Sequence, residues 1–505
     1  MIAQARLAIG RNARCMVYRD MARLILLLHR YLGIAVGALM VMWCLSGVVM
    51  MYVSYPALSE SVRLKALQPI AWRDCCKIAG ALRAHFSPKG IWIEMLGGRP
   101  VLFSGELPRP LDLSAGTWVE GISADQAAAV AQAFATSDSP APRLLGLIDR
   151  DQWTVSGDFN SSRPLYHFGL GDAAGTELYV SSRSGRAVQM TTARERFWNW
   201  LGAVPHWLYF TELRRHPDIW SQVVIVTSLL GCFLAGVGIY LGIRQFASRP
   251  ARRWSPYVGF NLWHHIAGLT FGVFALTWVF SGLLSMNPWG WLQGAGTQTE
   301  GAAIEGAPRS TDLAAALQSL AEAHPAAVSL KAAPLNGALY FVASRANGER
   351  LRLNEHGAPA PLGGADLNFL TRALGRDETS SAPELLTQED RYYFSHHDLA
   401  VLPVYRLVLA SGMRYYLDPV SGMLVAKLDA ESRAYRWLHE GLHRLDFAAG
   451  LRARPQWDLL MLLLMSGVTV LCVTGAYLGY RRALDILGRE SDPTPRCDNR
   501  DPQQQ

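Results

Sequence analysis

The chain has no G-x-x-x-x-G-K-[ST] loop, no H-E-x-x-H, no C-x-x-C, no C-x-x-C-H and no G-x-S-x-G. These absences exclude nucleotide hydrolysis on a P-loop, zincin-type proteolysis, a thioredoxin-like dithiol, thioether-linked haem and nucleophile-elbow hydrolysis. Charge is also sparse, at 18% of 505 residues, and no Lys, Arg, Asp or Glu interrupts four runs at 32–52, 223–243, 266–289 and 459–480. The seven cysteines build no disulfide framework. Cys44, Cys232 and Cys472 fall in those runs, Cys15 and Cys497 lie near the ends, and Cys75 and Cys76 are neighbours. A bond between adjacent cysteines is strained, so no ordinary structural disulfide is expected there.

Half of the residues are hydrophobic and 16 are Trp, a composition that fits a mixed membrane and soluble protein. Each of the four runs meets the ~20 apolar residues needed to cross a bilayer. The net charge of +7 gathers at their flanks. Arg6, Arg11, Arg14, Arg19, Arg23 and Arg30 precede the first run, Arg244, Arg249, Arg252 and Arg253 join the second to the third, and Arg481, Arg482 and Arg489 follow the fourth. This positive-inside pattern puts both termini and the short middle loop in the cytoplasm and argues against a nucleic-acid partner. The first run is too long for a secretory h-region and reads as an uncleaved signal anchor.

The expected order is a basic N-terminus (1–23), a span (24–53), an outer domain (54–219), a span (220–243), a cytoplasmic loop (244–259), a span (260–290), a second outer domain (291–456), a span (457–481) and a cytoplasmic tail (482–505). The two halves repeat each other. Gly33, Gly37, Trp43, Ser46 and Gly47 return 235 residues later as Gly268, Gly272, Trp278, Ser281 and Gly282. At a spacing of 237, Tyr179, Gly185, Trp200, Phe210, Trp220, Tyr240, Gly242 and Arg244 return as Tyr416, Gly422, Trp437, Phe447, Trp457, Tyr477, Gly479 and Arg481. Each half therefore reads as helix, domain, helix. The repeats run parallel, related by a pseudo-twofold axis along the membrane normal.

The outer domains read as α+β units. Helical patterns at CCKIAGALRAHF, ADQAAAVAQAFA and TDLAAALQSLAEAH accompany strand-like runs at GIWIEML and GALYFVAS, and Ser-Gly turns mark hairpins at TELYVSSRSGRAV and MRYYLDPVSGMLV. Residues 294–308 read as a Gly- and Ala-rich linker and 491–505 as a polar, disordered tail.

His29 and His264 open the first span of each half. His29, Gly33 and Gly37 step by four, as do His264, Gly268 and Gly272, so each imidazole shares one helix stripe with two glycines. Ionisable groups near hydrocarbon are costly, and a flat porphyrin lying edge-on to a helix needs small residues beside its ligand. The pattern therefore points to haem, His29 with His264. The plainer reading is a small-residue packing face with interfacial histidines. His265 is the alternate to His264.

A second pair, His206 and His443, lies 14 residues before Trp220 and Trp457 in the aromatic segments RFWNWLGAVPHWLYF and YRWLHEGLHRLDF. Pro217 and Pro455 separate these from the following spans, so short helices at the outer membrane surface are expected. The alternatives are a snorkelling histidine in a Trp-rich interfacial helix, or a ligand pair of His439 with His443. Gly202 stands where His439 would recur, which favours His206 with His443. Trp43 and Trp278, inside the spans, line an electron path or serve packing alone. In DRYYFSHHDLAVLPVYR, residues Tyr392, Tyr393, His396 and His397 form a candidate contact for an aromatic, oxygen-rich iron chelate, or simply a solvated loop.

HRYLGIAVGALMVMWCLSG with its repeat, PHWLYF, HEGLHRLDF and the Ser-Gly hairpins resemble the PepSY-associated transmembrane helix family over most of residues 24–482. Some members are haem-containing inner-membrane ferrisiderophore reductases. The resemblance implies a bacterial inner-membrane protein with PepSY-like periplasmic domains, two b-type haems, a ferric siderophore as substrate and a cytoplasmic or quinol electron donor. A regulatory membrane anchor for an extracellular partner and a duplicated transporter are the other classes open to such a chain.

Overall fold

The computed structural model describes residues 2–490 except 77–89, 106, 108, 137, 249–253, 307–312, 324, 376–377 and 396–400. Four long helices, Ile2–Met50, Pro217–Ala247, Gly259–Ser285 and Gln456–Glu490, contain the four apolar runs. Their membrane-length portions of 27 to 31 residues extend about 40 to 46 Å at 1.5 Å per residue, more than the ~30 Å hydrocarbon layer. The first helix begins well before its apolar run and takes the basic N-terminal segment into the same element. Pro217 occupies the first turn of the second helix, where its missing N–H has no partner to lose.

The four helices close a ring: first against second, second against third, third against fourth, fourth against first. Lipid is as apolar as Leu, so burial drives this association weakly and close backbone approach must do more. Small residues supply it. A Cβ added at Gly37 would meet Ala476 at 3.4 Å, one at Gly479 would meet Ile34 at 3.3 Å, and one at Gly231 would meet Val279 at 2.9 Å. Val36, Met40, Cys44, Ala275, Val279, Val468 and Cys472 fill the centre.

The chain between the first and second helices, and again between the third and fourth, forms antiparallel sheets at one end of the ring. The first segment supplies β1 (Ile91–Leu96), β2 (Arg99–Ser104), β3 (Leu111–Asp112), β4 (Thr117–Trp118), β5 (Arg143–Ile148), β6 (Leu165–Gly169), β7 (Glu177–Ser181) and β8 (Ala187–Thr191). The second supplies β9 (Ser329–Ala332), β10 (Tyr340–Ser344), β11 (Arg350–Asn354), β12 (Glu384–Leu386), β13 (Val404–Val408), β14 (Arg414–Leu417) and β15 (Leu424–Leu428). Two four-stranded sheets run β5-β6-β7-β8 and β12-β13-β14-β15. The third sheet, β11-β10-β9-β1-β2-β3-β4, belongs to both segments, because β1 pairs with β9 in the register Ile93 to Leu330. Ile93, Leu102, Leu330 and Phe341 are buried on one face of it. Each contributes on the order of 2 kcal/mol by leaving water.

The expected hairpins form as β7-β8 and β14-β15, turning at Gly185 and Gly422 with φ of 68° and 74°. The expected helices appear at Ala124–Phe134, with a Ser123/Gln126 capping box, and at Leu313–Ala323. The helix read at CCKIAGALRAHF lies mostly outside the described residues, as do His396, His397 and the 491–505 tail. Two expectations are corrected. Residues 294–308 are not a plain linker, since Gln298–Glu305 is a helix that buries Ile304 against Leu335 and Leu370. Cys75 and Cys76 are bonded to each other, although adjacency argued against it.

Candidate functional site

At the end of the ring away from the sheets, His29 of the first helix and His264 of the third face each other with ring centroids 6.3 Å apart. Two trans imidazoles on one metal, each at a bond of about 2 Å, bring their ring centres roughly 6 Å apart. His264 Nδ1 lies 3.2 Å from the Leu471 carbonyl and 3.3 Å from Thr474 Oγ1. Thr474 already donates to Val470, and a carbonyl only accepts, so His264 Nδ1 carries the proton and Nε2 keeps its lone pair. His29 Nδ1 is buried and faces the Leu234 carbonyl without reaching hydrogen-bond geometry. Leu234 and Leu471 hold matching places at the spacing of 237.

These two rings border a cavity of about 650 Å³ walled by Gly33, Gly37, Gly268 and Gly272. Two further glycines touch the rings themselves. A Cβ on Gly238 would sit 2.8 Å from His29 Cε1, and one on Gly475 would sit 2.9 Å from His264 Cε1. Sequence reading missed both, although Gly238 and Gly475 recur at the spacing of 237. His265 borders the same cavity with both nitrogens occupied, Nδ1 by Ser255 Oγ at 2.8 Å and Nε2 by the Gly242 carbonyl at 3.0 Å. It anchors the loop between the second and third helices, and His264 is the imidazole that keeps an unoccupied Nε2.

At the sheet end, His206 and His443 also meet, with centroids 6.1 Å apart. His206 ends the short helix Ala203–His206, and His443 lies in Leu442–Arg444. Their Nδ1 atoms are held alike. His206 Nδ1 is 3.1 Å from Ser46 Oγ and 3.2 Å from the Trp43 carbonyl, and His443 Nδ1 is 2.9 Å from Ser281 Oγ. Ser46 donates to Met42 and Ser281 to Trp278, so both hydroxyls accept from an imidazole N–H and both Nε2 atoms stay free. Trp220 Nε1 donates to the Trp207 carbonyl and Trp457 Nε1 to the Arg444 carbonyl, which pins each histidine segment to the following helix.

One side of this site carries a third imidazole. His439 lies on a π-helical turn, Arg436–Gly441, 5.4 Å from His443, and its Nδ1 bonds the Ser281 carbonyl at 2.9 Å. Of the remaining candidates, Tyr392 and Tyr393 make contacts within their own domain. Tyr392 packs edge-on to Trp437, and Tyr393 stacks on Tyr416 at 4.9 Å and donates to the Val401 carbonyl. Asp390 caps both tyrosine amides and accepts from Tyr416. Burial raises its carboxyl, but the Tyr392 amide, Arg406, the Tyr393 amide and Tyr416 together hold it below the usual range.

Among the described residues no cluster of three or more His, Cys, Asp or Glu is placed to hold a metal ion. A porphyrin supplies four donors of its own and asks the protein for two axial ligands, which each histidine pair can offer. At the basic end the opposed rings, the His264 Nδ1 contacts and the glycine-walled cavity fit that group, and at the sheet end the opposed rings and their Nδ1 contacts do.

Four membrane-length helices carrying antiparallel sheet domains, with two histidine pairs between them, define a multi-pass membrane protein with α+β domains. The chain belongs to the PepSY-associated TM region family, whose model matches residues 26–483. No characterised protein matches it.

Proposed function

We propose that the protein is a membrane reductase holding two b-type haems, which takes electrons from a cytoplasmic or quinol donor and reduces a ferric siderophore outside the cytoplasm, releasing ferrous iron. The observation that carries this reading is the repetition of one arrangement at both ends of the ring: two imidazoles about 6 Å apart, three of the four with Nδ1 hydrogen-bonded and Nε2 left open. Haem, when bound, supplies reversible one-electron iron chemistry. His29 with His264, and His206 with His443, would hold the haems, and two histidines for each would suit it to electron transfer rather than oxygen activation. Leu471, Thr474, Trp43, Ser46 and Ser281 fix ring orientation. The two halves act as parallel repeats, with the basic ends in the cytoplasm and the sheets in the periplasm of a bacterial inner membrane.

The substrate chemistry supports the direction. Hard oxygen donors hold ferric iron strongly and the softer ferrous ion less well, so one electron loosens the chelate. Pre-reduced protein, anaerobic in detergent, should be reoxidised by a ferric siderophore while ferrous iron passes to a chromogenic chelator. Haem that stays reduced across a panel of ferric siderophores overturns the reductase assignment and leaves a cytochrome serving another protein. A pyridine-haemochrome assay without haem overturns the whole reading in favour of a regulatory anchor or transporter.

A further inference from the structure

The cavity beside His29 and His264 has two chemically different ends. Its inner part is bordered by glycines, Met40, Ala275 and Leu471, while its outer end is bordered by Arg30, Arg481 and Arg482 with Gln245, Tyr257, Asn261 and a single carboxylate, Asp485, which forms no ion pair with them. Arg30 and Arg481 lie exposed at the mouth, and Arg482 is half-buried with its Nε buried and unpartnered. None of the three arginines forms an ion pair among the described residues, although most arginines buried in the sheet domains do, as Arg63 does with Glu94 and Arg436 with Asp446. An arginine near hydrocarbon whose Nε–H has neither water nor acceptor is costly, and an anion removes that cost.

We infer that Arg30, Arg481 and Arg482 form a carboxylate clamp, so that this cavity takes a flat apolar plate bearing acidic groups on one edge, with that edge at the basic end of the ring. The inference rests on the haem reading above and adds the orientation and the recognition chemistry. Guanidinium forks match carboxylate geometry with two parallel bonds, and Tyr257 and Asn261 add neutral donors at the same rim. Phospholipid phosphate is the other anion within reach of arginines in this position.

The full-length chain, produced under haem starvation, should be titrated with ferric haem and with its dimethyl ester, which keeps the plate and removes both charges. Soret absorbance reports binding, and His264→Ala identifies the signal from this site. Wild type should bind haem about 10- to 100-fold more tightly than the ester, the range expected for hydrogen bonds to charged groups. Arg30→Gln, Arg481→Gln and Arg482→Gln should narrow that ratio, and Arg482→Lys, which keeps the charge and the fold, should restore part of it. Equal binding of haem and ester with a His264-dependent signal overturns the clamp and leaves the haem reading standing. Absence of binding by both removes the haem reading and the clamp with it. Variants that lose bound phosphatidylglycerol by mass spectrometry while the haem-to-ester ratio stays at the wild-type value overturn the clamp in favour of lipid.

Discussion

The two histidine pairs share a spacing but differ in how the protein holds them. His29 and His264 stand on long helices and open onto a cavity cut by missing side chains, so their site is defined by glycine. His206 and His443 stand on short helices pressed against the ring, and serine hydroxyls and backbone carbonyls define theirs. His29 and Ser46 are 17 residues apart on one helix, and His264 and Ser281 are 17 apart on another, which separates the two sites by about 25 Å of helix rise. The same opposed imidazole pair is thus built twice, at the basic end on long helices beside a cavity and at the sheet end on short helices pinned to serine hydroxyls.

The largest expected effect tests whether the sites are separate. His29→Ala or His264→Ala should halve the haem bound per chain and leave the other half intact, and His206→Ala or His443→Ala should remove the complementary half, read by pyridine haemochrome and redox titration. Loss of both haems from a single substitution would show one coupled site. Gly238→Val or Gly475→Val should come next. Each puts a side chain less than 3 Å from an imidazole carbon, and the resulting overpacking should weaken haem at the basic end about tenfold or more without touching the sheet end. Equal loss at both ends would refute the contrast drawn between them.

Ser46→Ala and Ser281→Ala should act only at the sheet end, lowering haem affinity there by roughly 10-fold, the lower part of the range for outer-shell partners of a metal-bound histidine. His439→Ala should be milder still. His206 with His443 completes the opposed pair, and the matching place in the first half holds Gly202 rather than a second such histidine, so full haem content with a shifted reduction potential is expected. A lost haem would make His439 the ligand instead.

The smallest effect lies where the helix Glu60–Ala66 meets the sheet shared by the two domains. Burial raises the Glu60 carboxyl, but hydrogen bonding and charge from Arg63, with Lys331, bring it to about 2. A depressed carboxyl stabilises the fold above its unfolded value and loses that contribution as pH falls through the folded one. Thermal stability should therefore decline between about pH 4.5 and about pH 2, and Glu60→Gln should flatten that decline. Glu60 is half-exposed, so the change is modest.

Much of this was legible in residue order because membrane and sheet impose strong periodic demands. The four spans followed from uncharged runs, the hairpins from Ser-Gly turns, and the pairing of His29 with His264 and of His206 with His443 from recurrence. The histidine pair His396 and His397 lies outside the described residues, and Tyr392 and Tyr393 turned out to pack against Trp437 and Tyr416.

What residue order alone determined is the set of elements and their recurrence, because hydropathy and spacing are local or periodic properties. Tertiary structure decided between neighbours that sequence could not separate. His264 and His265 are adjacent and chemically identical, and only the closure of the ring turns one toward His29 with its Nε2 unoccupied and engages both nitrogens of the other. The joining of β1 to β9 across more than 200 residues, and the contact of Gly238 and Gly475 with rings on other helices, likewise depend on which backbones come together. A ligand's free lone pair is a property of what surrounds it, and that is settled by packing.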